Sequence, residues 1–119
     1  MSISRFELGK LGEDIACSFL VQNDYIVLDR NFRTRYGEID IIAKYSNIII
    51  FVEVKTRSSC KFGIPSTAID YKKVRKLIIT ANYYLYSKHI KYFNIRFDAI
   101  EVYYYSAANI KINHIKQII

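Results

Sequence analysis

The chain has 119 residues, 51% of them hydrophobic and 24% charged, with four Gly and one Pro. This balance excludes an intrinsically disordered chain, and the length suits one core, so a single domain over residues 1–119 is expected. The formal net charge is +7, but residues 1–60 carry eight Lys and Arg against eight Asp and Glu, whereas residues 61–119 carry ten against three. An excess confined to one half is the electrostatic signature of a polyanion-binding surface; a solvated Lys-rich face has the same composition, so charge alone leaves both open.

Met1 to Lys10 has no basic stretch followed by an apolar run and a small-residue cleavage site, which leads to a cytoplasmic expectation. No segment reaches the ~20 apolar residues of a membrane helix, because Ile48 to Val52 runs into Glu53 and Lys55, so no membrane partner is expected. Cys17 and Cys60 are too few for a disulfide framework or a zinc site. Cys17 reads as a small buried helix residue and Cys60 as a loop thiol.

The first element is an amphipathic helix from about Ser4 to Val21. Ser4 and Glu7 stand at capping-box spacing, and Leu8, Leu11, Ile15 and Phe19 recur on one face. Gly9 and Gly12 each cost up to ~1 kcal/mol of helix propensity, which close packing against another backbone would offset. At ~100° per residue Glu13 falls on the flank of the stripe, beside Ala16 and Leu20, where it can look into a cleft at the core's edge.

A strand starts at Tyr25 and continues toward Phe32. Two β-rich runs, Gly37 to Tyr45 and Ile48 to Arg57, then flank Ser46-Asn47 and read as an antiparallel hairpin. With a two-residue turn, Tyr45 faces Ile48, and counting back sets Asp40 opposite Glu53 and Glu38 opposite Lys55. Two carboxylates side by side repel unless a cation lies between them or one is protonated. Acidic oxygens on a β-platform suit a hard divalent cation such as Mg²⁺, and Lys55 is placed to orient water or to stabilise charge on a phosphate. The alternative for the same residues is a cross-strand Glu38–Lys55 salt bridge on a solvated face.

Asp40, then Glu53-Val54-Lys55 on the next strand, with Glu13 on the preceding helix, resembles the PD-(D/E)xK restriction-endonuclease-like superfamily, in particular its archaeal Holliday-junction-resolvase branch. The resemblance is closer still to the YraN-type family of small bacterial predicted endonucleases. It is carried in order by Gly12-Glu13-Asp14-Ile15-Ala16, Arg30 to Arg33, Gly37 to Ala43, Phe51 to Arg57, Phe62 to Pro65, and Arg96-Phe97-Asp98. It implies a restriction-endonuclease-like three-layer α/β domain, a mixed β-sheet flanked by helices. It further implies Mg²⁺ or Mn²⁺ held by Asp40 and Glu53 with the Val54 backbone carbonyl. Glu13 would join directly or through water, Lys55 would handle the nucleophilic water, and Glu38 and Arg57 would support the site. The chain departs from the superfamily pattern at Ile39, where the motif name has Pro; Pro would weaken a central strand.

Beyond the hairpin, Ser58 to Pro65 reads first as a plain connector whose Phe62 tucks under the core, with contact of Lys61 to a nucleic-acid backbone as the alternative. A second helix from about Ser66 to Tyr86 repeats apolar residues at Ile69, Val74, Leu77, Ile78, Ala81 and Leu85, with Ser66 or Thr67 as cap. Its other face offers Lys72, Lys73, Arg75 and Lys76 to phosphates, and Lys73 matches a basic position of the YraN-type pattern. Tyr83, Tyr84, Tyr86, Tyr92, Phe93 and Tyr103 to Tyr105 read chiefly as cover for a core edge or a dimer contact, with base stacking as the alternative. Asn94 to Tyr103 and Ile110 to Ile115 read as further strands. His114 reads as structural and His89 as an exposed loop residue.

The expected function is hydrolysis of phosphodiester bonds in nucleic acid, in the first place DNA, including branched DNA of the Holliday-junction type. A homodimer would suit such a substrate, because a four-way junction needs two symmetric cuts. The alternative is a non-catalytic nucleic-acid-binding module on the same fold.

Overall fold

The computed structural model describes residues 3–58, 71–91 and 94–119. Within them the chain runs α1 (Arg5–Gln22), β1 (Ile26–Thr34), β2 (Gly37–Tyr45), β3 (Ile48–Arg57), α2 (Tyr71–Ser87), β4 (Asn94–Ser106) and β5 (Asn109–Ile115). The expected contributions of Cys60, Lys61, Phe62, Gly63, Tyr92 and Phe93, and of a cap at Ser66 or Thr67, fall outside the described residues.

Ser4 starts α1 as the capping-box spacing predicts: its Oγ accepts the Glu7 amide at 3.1 Å and donates to Glu7 Oε1 at 2.8 Å. The buried seam of the helix is Gly12, Ala16 and Leu20, whereas Leu8, Leu11, Ile15 and Phe19 flank it half-buried. The shift has a steric cause. A Cβ on Gly12 would lie 1.8 Å from Thr56 Oγ1, so the helix backbone rests directly on β3 and only small side chains fit the first part of the seam. Gly9, expected to pack in the same way, meets no atom within 4 Å.

The five strands lie side by side in chain order, with β3 and β4 parallel and the other pairs antiparallel. Tyr45 faces Ile48 across Ser46-Asn47, as the hairpin reading requires, with Ser46 at φ +55. Alternation then divides the sheet into two apolar faces. Ile41, Ala43, Ile50, Val52, Ile100 and Val102 pack with Ala16 and Leu20 of α1, while Ile42, Ile49, Phe51 and Phe97 pack with Ala81 and Tyr84 of α2. The result is a mixed five-stranded sheet with a helix on each face, the α/β class expected. Tyr84 closes the α2 side by edge contacts with Phe32 and Phe51 at centroid distances of 5.0 and 6.1 Å, whereas Tyr83, Tyr86 and Ile78 stay exposed.

The far end of the sheet is tied by a buried polar network. Asp98 is fully buried and accepts from Arg96 Nε and Nη2 at 2.8 Å each and from the Gln117 amide at 3.0 Å, with His114 Nε2 at 2.7 Å. Arg96 also donates to the Tyr25 hydroxyl at 2.9 Å. These partners hold the Asp98 carboxyl below the usual carboxylate range, against a burial that would raise it. His114 is thus structural, as expected, and His89 is exposed at φ +55.

Candidate metal and nucleic-acid site

Strict alternation fails near Asp40, and the site is built there. Ile42 and Ile39 both belong to the α2 cluster although they are an odd three positions apart, so the alternation of β2 is interrupted at Asp40. The same happens next door in β1. Arg30 reaches Asp14 of α1 at 2.7 Å, while Phe32 packs on Tyr84 of α2, with Asn31 between them at φ +54. The β2–β3 ladder also ends here, at Ile41 opposite Val52. Where the next backbone pair would form, the Val54 amide donates to Asp40 Oδ2 at 2.8 Å. Asp40 therefore projects into the gap where the two strands part.

The neighbours of this gap are acidic. Burial pushes the Asp40 carboxyl up to about 6, and the Glu13, Glu53 and Glu38 carboxylates add to the rise against the Val54 hydrogen bond. Glu13 and Glu53 are largely covered, with side-chain exposures of 18% and 19%, and each already holds a cation. Arg30 lies 3.5 Å from Glu13, and Lys73 forms an ion pair with Glu53.

The register counted from the turn holds from Tyr45–Ile48 to Ile41–Val52 and stops one pair short of Asp40 opposite Glu53, and Glu38 does not face Lys55. The break at Asp40 turns Glu38 toward β1, where it pairs with Arg33 at 2.9 Å rather than with Lys55. Lys55 is half-buried on β3 with no ion pair among the described residues, and its register partner on β4 is Glu101. Arg57 is exposed at the end of the same strand. Val54 engages Asp40 through its amide.

The basic set on α2 divides in two. Lys73, Lys76, Leu77, Thr80, Ala81 and Tyr84 form one stripe at helical spacing, and its later members are buried against the sheet. Gly37 receives this stripe closely, since a Cβ there would lie 3.2 Å from Thr80 Oγ1 and 3.6 Å from Lys76 Cβ. Lys73 and Lys76 therefore line a cavity of about 230 Å³ with Asp40, Glu53, Phe97 and Ile118. Lys72 and Arg75 are exposed outside that stripe.

Among the described residues, no three His, Cys, Asp or Glu side chains stand close enough to enclose an ion on their own. The donor set still fits a hard divalent cation, because Mg²⁺ keeps several waters and takes one or two carboxylates. Asp40 and Glu53 would supply these.

A profile described as "Uncharacterised protein family UPF0102" matches residues 12–102. A UPF0102 protein of Caldicellulosiruptor saccharolyticus is 50% identical over 101 residues, covering 85% of this chain and 86% of the relative. Others, from Persephonella marina and Caldanaerobacter subterraneus subsp. tengcongensis, are 47% and 46% identical over 91% and 85% of this chain, and 89% and 83% of their own lengths. The chain belongs to the UPF0102 family. The stretch that the UPF0102 profile matches runs from Gly12 through Val102, so it takes in Glu13, Asp40, Glu53, Lys55 and Lys73 and ends before His114.

In this UPF0102 chain three features escape a reading by spacing. Arg30 engages Glu13 and Asp14 of α1, Lys73 reaches Glu53, and Glu101 is buried beside Lys55 in register, accepting from Asn113 at 3.0 Å. Glu101 carries a signal, a carboxylate between the apolar Ile100 and Val102. The other two depend on where α1 and α2 cross the sheet. On the α1 side a cleft of about 520 Å³ also brings Arg5, Lys10, Arg30 and Arg33 next to Glu13. This basic surface comes from the half of the chain whose net charge is zero. No helix among the described residues is long and apolar enough to cross a membrane.

Proposed function

We propose that the chain is a divalent-metal-dependent nuclease of the PD-(D/E)xK type, acting on phosphodiester bonds of nucleic acid, in the first place DNA. The observation that carries this reading is Asp40. A carboxylate is directed into the gap between two parting strands, braced by the Val54 amide and beside Glu53 and Glu13. Such a placement is costly to folding unless a cation is bound there.

Asp40 and Glu53 would hold Mg²⁺ or Mn²⁺, with the Val54 carbonyl as a further oxygen and Glu13 acting through water. When bound, the ion polarises the phosphodiester and lowers the pKa of water. The chain's own groups do the rest. Lys55 shares a strand face with Glu53, two residues or ~7 Å along, so its ammonium can orient the attacking water and stabilise charge on the phosphate. Val54 keeps Asp40 from rotating away. Lys76, Lys72 and Arg75 supply cations for flanking phosphates, with Arg57 at the exposed end of β3.

The test is a divalent titration of wild type and Asp40→Asn by calorimetry, repeated with labelled linear, single-stranded and four-way-junction DNAs scored for binding and cleavage. Mn²⁺ binding lost in the variant, together with cleavage of one substrate, is the expected result. Equal DNA binding by both proteins, with no metal bound by either, would assign the fold to a non-catalytic binding module.

A further inference from the structure

The ammonium of Lys73 occupies the place beside Glu53 where the cation of the proposed reaction would act. We infer that Lys73 is a displaceable internal counter-ion: it neutralises Glu53 while the site is empty of metal, and on metal binding it moves to a phosphate of the nucleic-acid strand. The inference rests on the nuclease reading and adds a positioning residue to it.

Three observations carry it. Lys73 belongs to the α2 stripe that is held on the sheet by Leu77, Thr80, Ala81 and Tyr84, so its pairing follows from how the helix docks rather than from a chance surface encounter. Its partner Glu53 is mostly covered, whereas Lys73 itself is 50% exposed. The lysine can therefore leave toward solvent while the carboxylate stays. The cavity of about 230 Å³ that both line also contains Lys76, which gives the displaced ammonium a neighbour of like charge and so a reason to seek an anion. Lys suits this exchange better than Arg, because a flexible stem with three rotatable donors lets go of one oxygen without breaking a bidentate fork.

An internal cation and a metal ion compete for the same carboxylate, so removing the lysine must tighten metal binding. The lysine is also withheld from DNA until metal arrives. Calorimetric titration of Mn²⁺ into wild type, Lys73→Gln, Lys73→Arg and Asp40→Asn, each first shown to melt cooperatively, tests the first point. Fluorescence anisotropy with a labelled four-way junction, in EDTA and in Ca²⁺, tests the second. Lys73→Gln is expected to bind Mn²⁺ about three- to tenfold more tightly than wild type, with Lys73→Arg no tighter than wild type. Its DNA affinity should match wild type in EDTA and fall several-fold only in Ca²⁺.

If wild type binds Mn²⁺, Asp40→Asn does not, and Lys73→Gln binds no more tightly than wild type, the counter-ion role is overturned and the nuclease reading stands. A DNA defect of Lys73→Gln that is equal with and without Ca²⁺ also overturns it, by making Lys73 a constitutive phosphate contact. If no protein of the set binds Mn²⁺, both readings fall.

Discussion

Asp40 is buried beside other carboxylates, and its protonation is therefore coupled to folding. Its carboxyl titrates at about 6 in the folded chain, against ~3.9 when unfolded. For a raised acid the native contribution is fully present below the unfolded value and is lost as pH rises through the folded one. The metal-free protein should thus gain stability on acidification, by ~1.4 kcal/mol from pH 7.5 to 5 and by up to ~3 kcal/mol once pH falls below the unfolded value. Asp40→Asn keeps an acceptor for the Val54 amide and removes the charge. It should be more stable than wild type by about 1–3 kcal/mol in EDTA at pH 7.5, with the gap closing below pH 5. Urea unfolding at the two pH values measures this, and a gap independent of pH would mean that the carboxylate is not strained by its surroundings. Asp40 and Glu53 are readable in the chain because acidic residues interrupt apolar β-runs. The direction of Asp40 is not, because it depends on Asn31 adopting φ +54 on the neighbouring strand.

The helix α1 has two glycines whose environments differ. Gly12→Ala would drive a Cβ into Thr56, and the resulting overpacking should cost about 1–3 kcal/mol, partly offset by helix propensity. Gly9→Ala meets nothing and should stabilise by about 0.5–1 kcal/mol. Thermal melts of both variants check the pair, and a Thr56→Ala background should recover part of the Gly12→Ala loss. The elements themselves are legible from periodicity, since the hairpin, both helices and β5 each have a clear apolar spacing. The seam of α1 is not, because Gly and Ala give little hydrophobic signal and close approach selects them for size. The stripe of α2 is partly hidden for the related reason that its first turn within the described residues places Lys73 and Lys76 where Leu77 and Ala81 continue, so a helix facing the sheet looks solvent-facing at its start.

Across the whole molecule, Asp98 joins β4, the end of β5, the chain's last residues and Tyr25. Its depressed acid contributes stability above the unfolded carboxylate value, which is lost as pH falls through the folded one. Opposed to Asp40 in sign, it predicts that stability in EDTA peaks near the unfolded carboxylate value, at about pH 4, and falls below it as Asp98 is protonated. Asp98→Ala leaves Arg96 and His114 buried without their anion and should cost about 3–5 kcal/mol, measured by urea denaturation at pH 7. The basic surface makes a separate prediction: Arg75→Gln with Lys76→Gln should lower the slope of log affinity against log salt for DNA by up to about two, whereas an unchanged slope would place the phosphate contacts elsewhere. The order of the strands has a further consequence. Because the sheet takes them in the sequence in which the chain supplies them, Glu13, Asp40, Glu53 and Lys55 all lie on α1 and the first three strands, before α2 begins. During synthesis the growing chain has all its site carboxylates before Lys73 leaves the ribosome, so Glu53 is made before its counter-ion and is open to divalent ions until α2 follows.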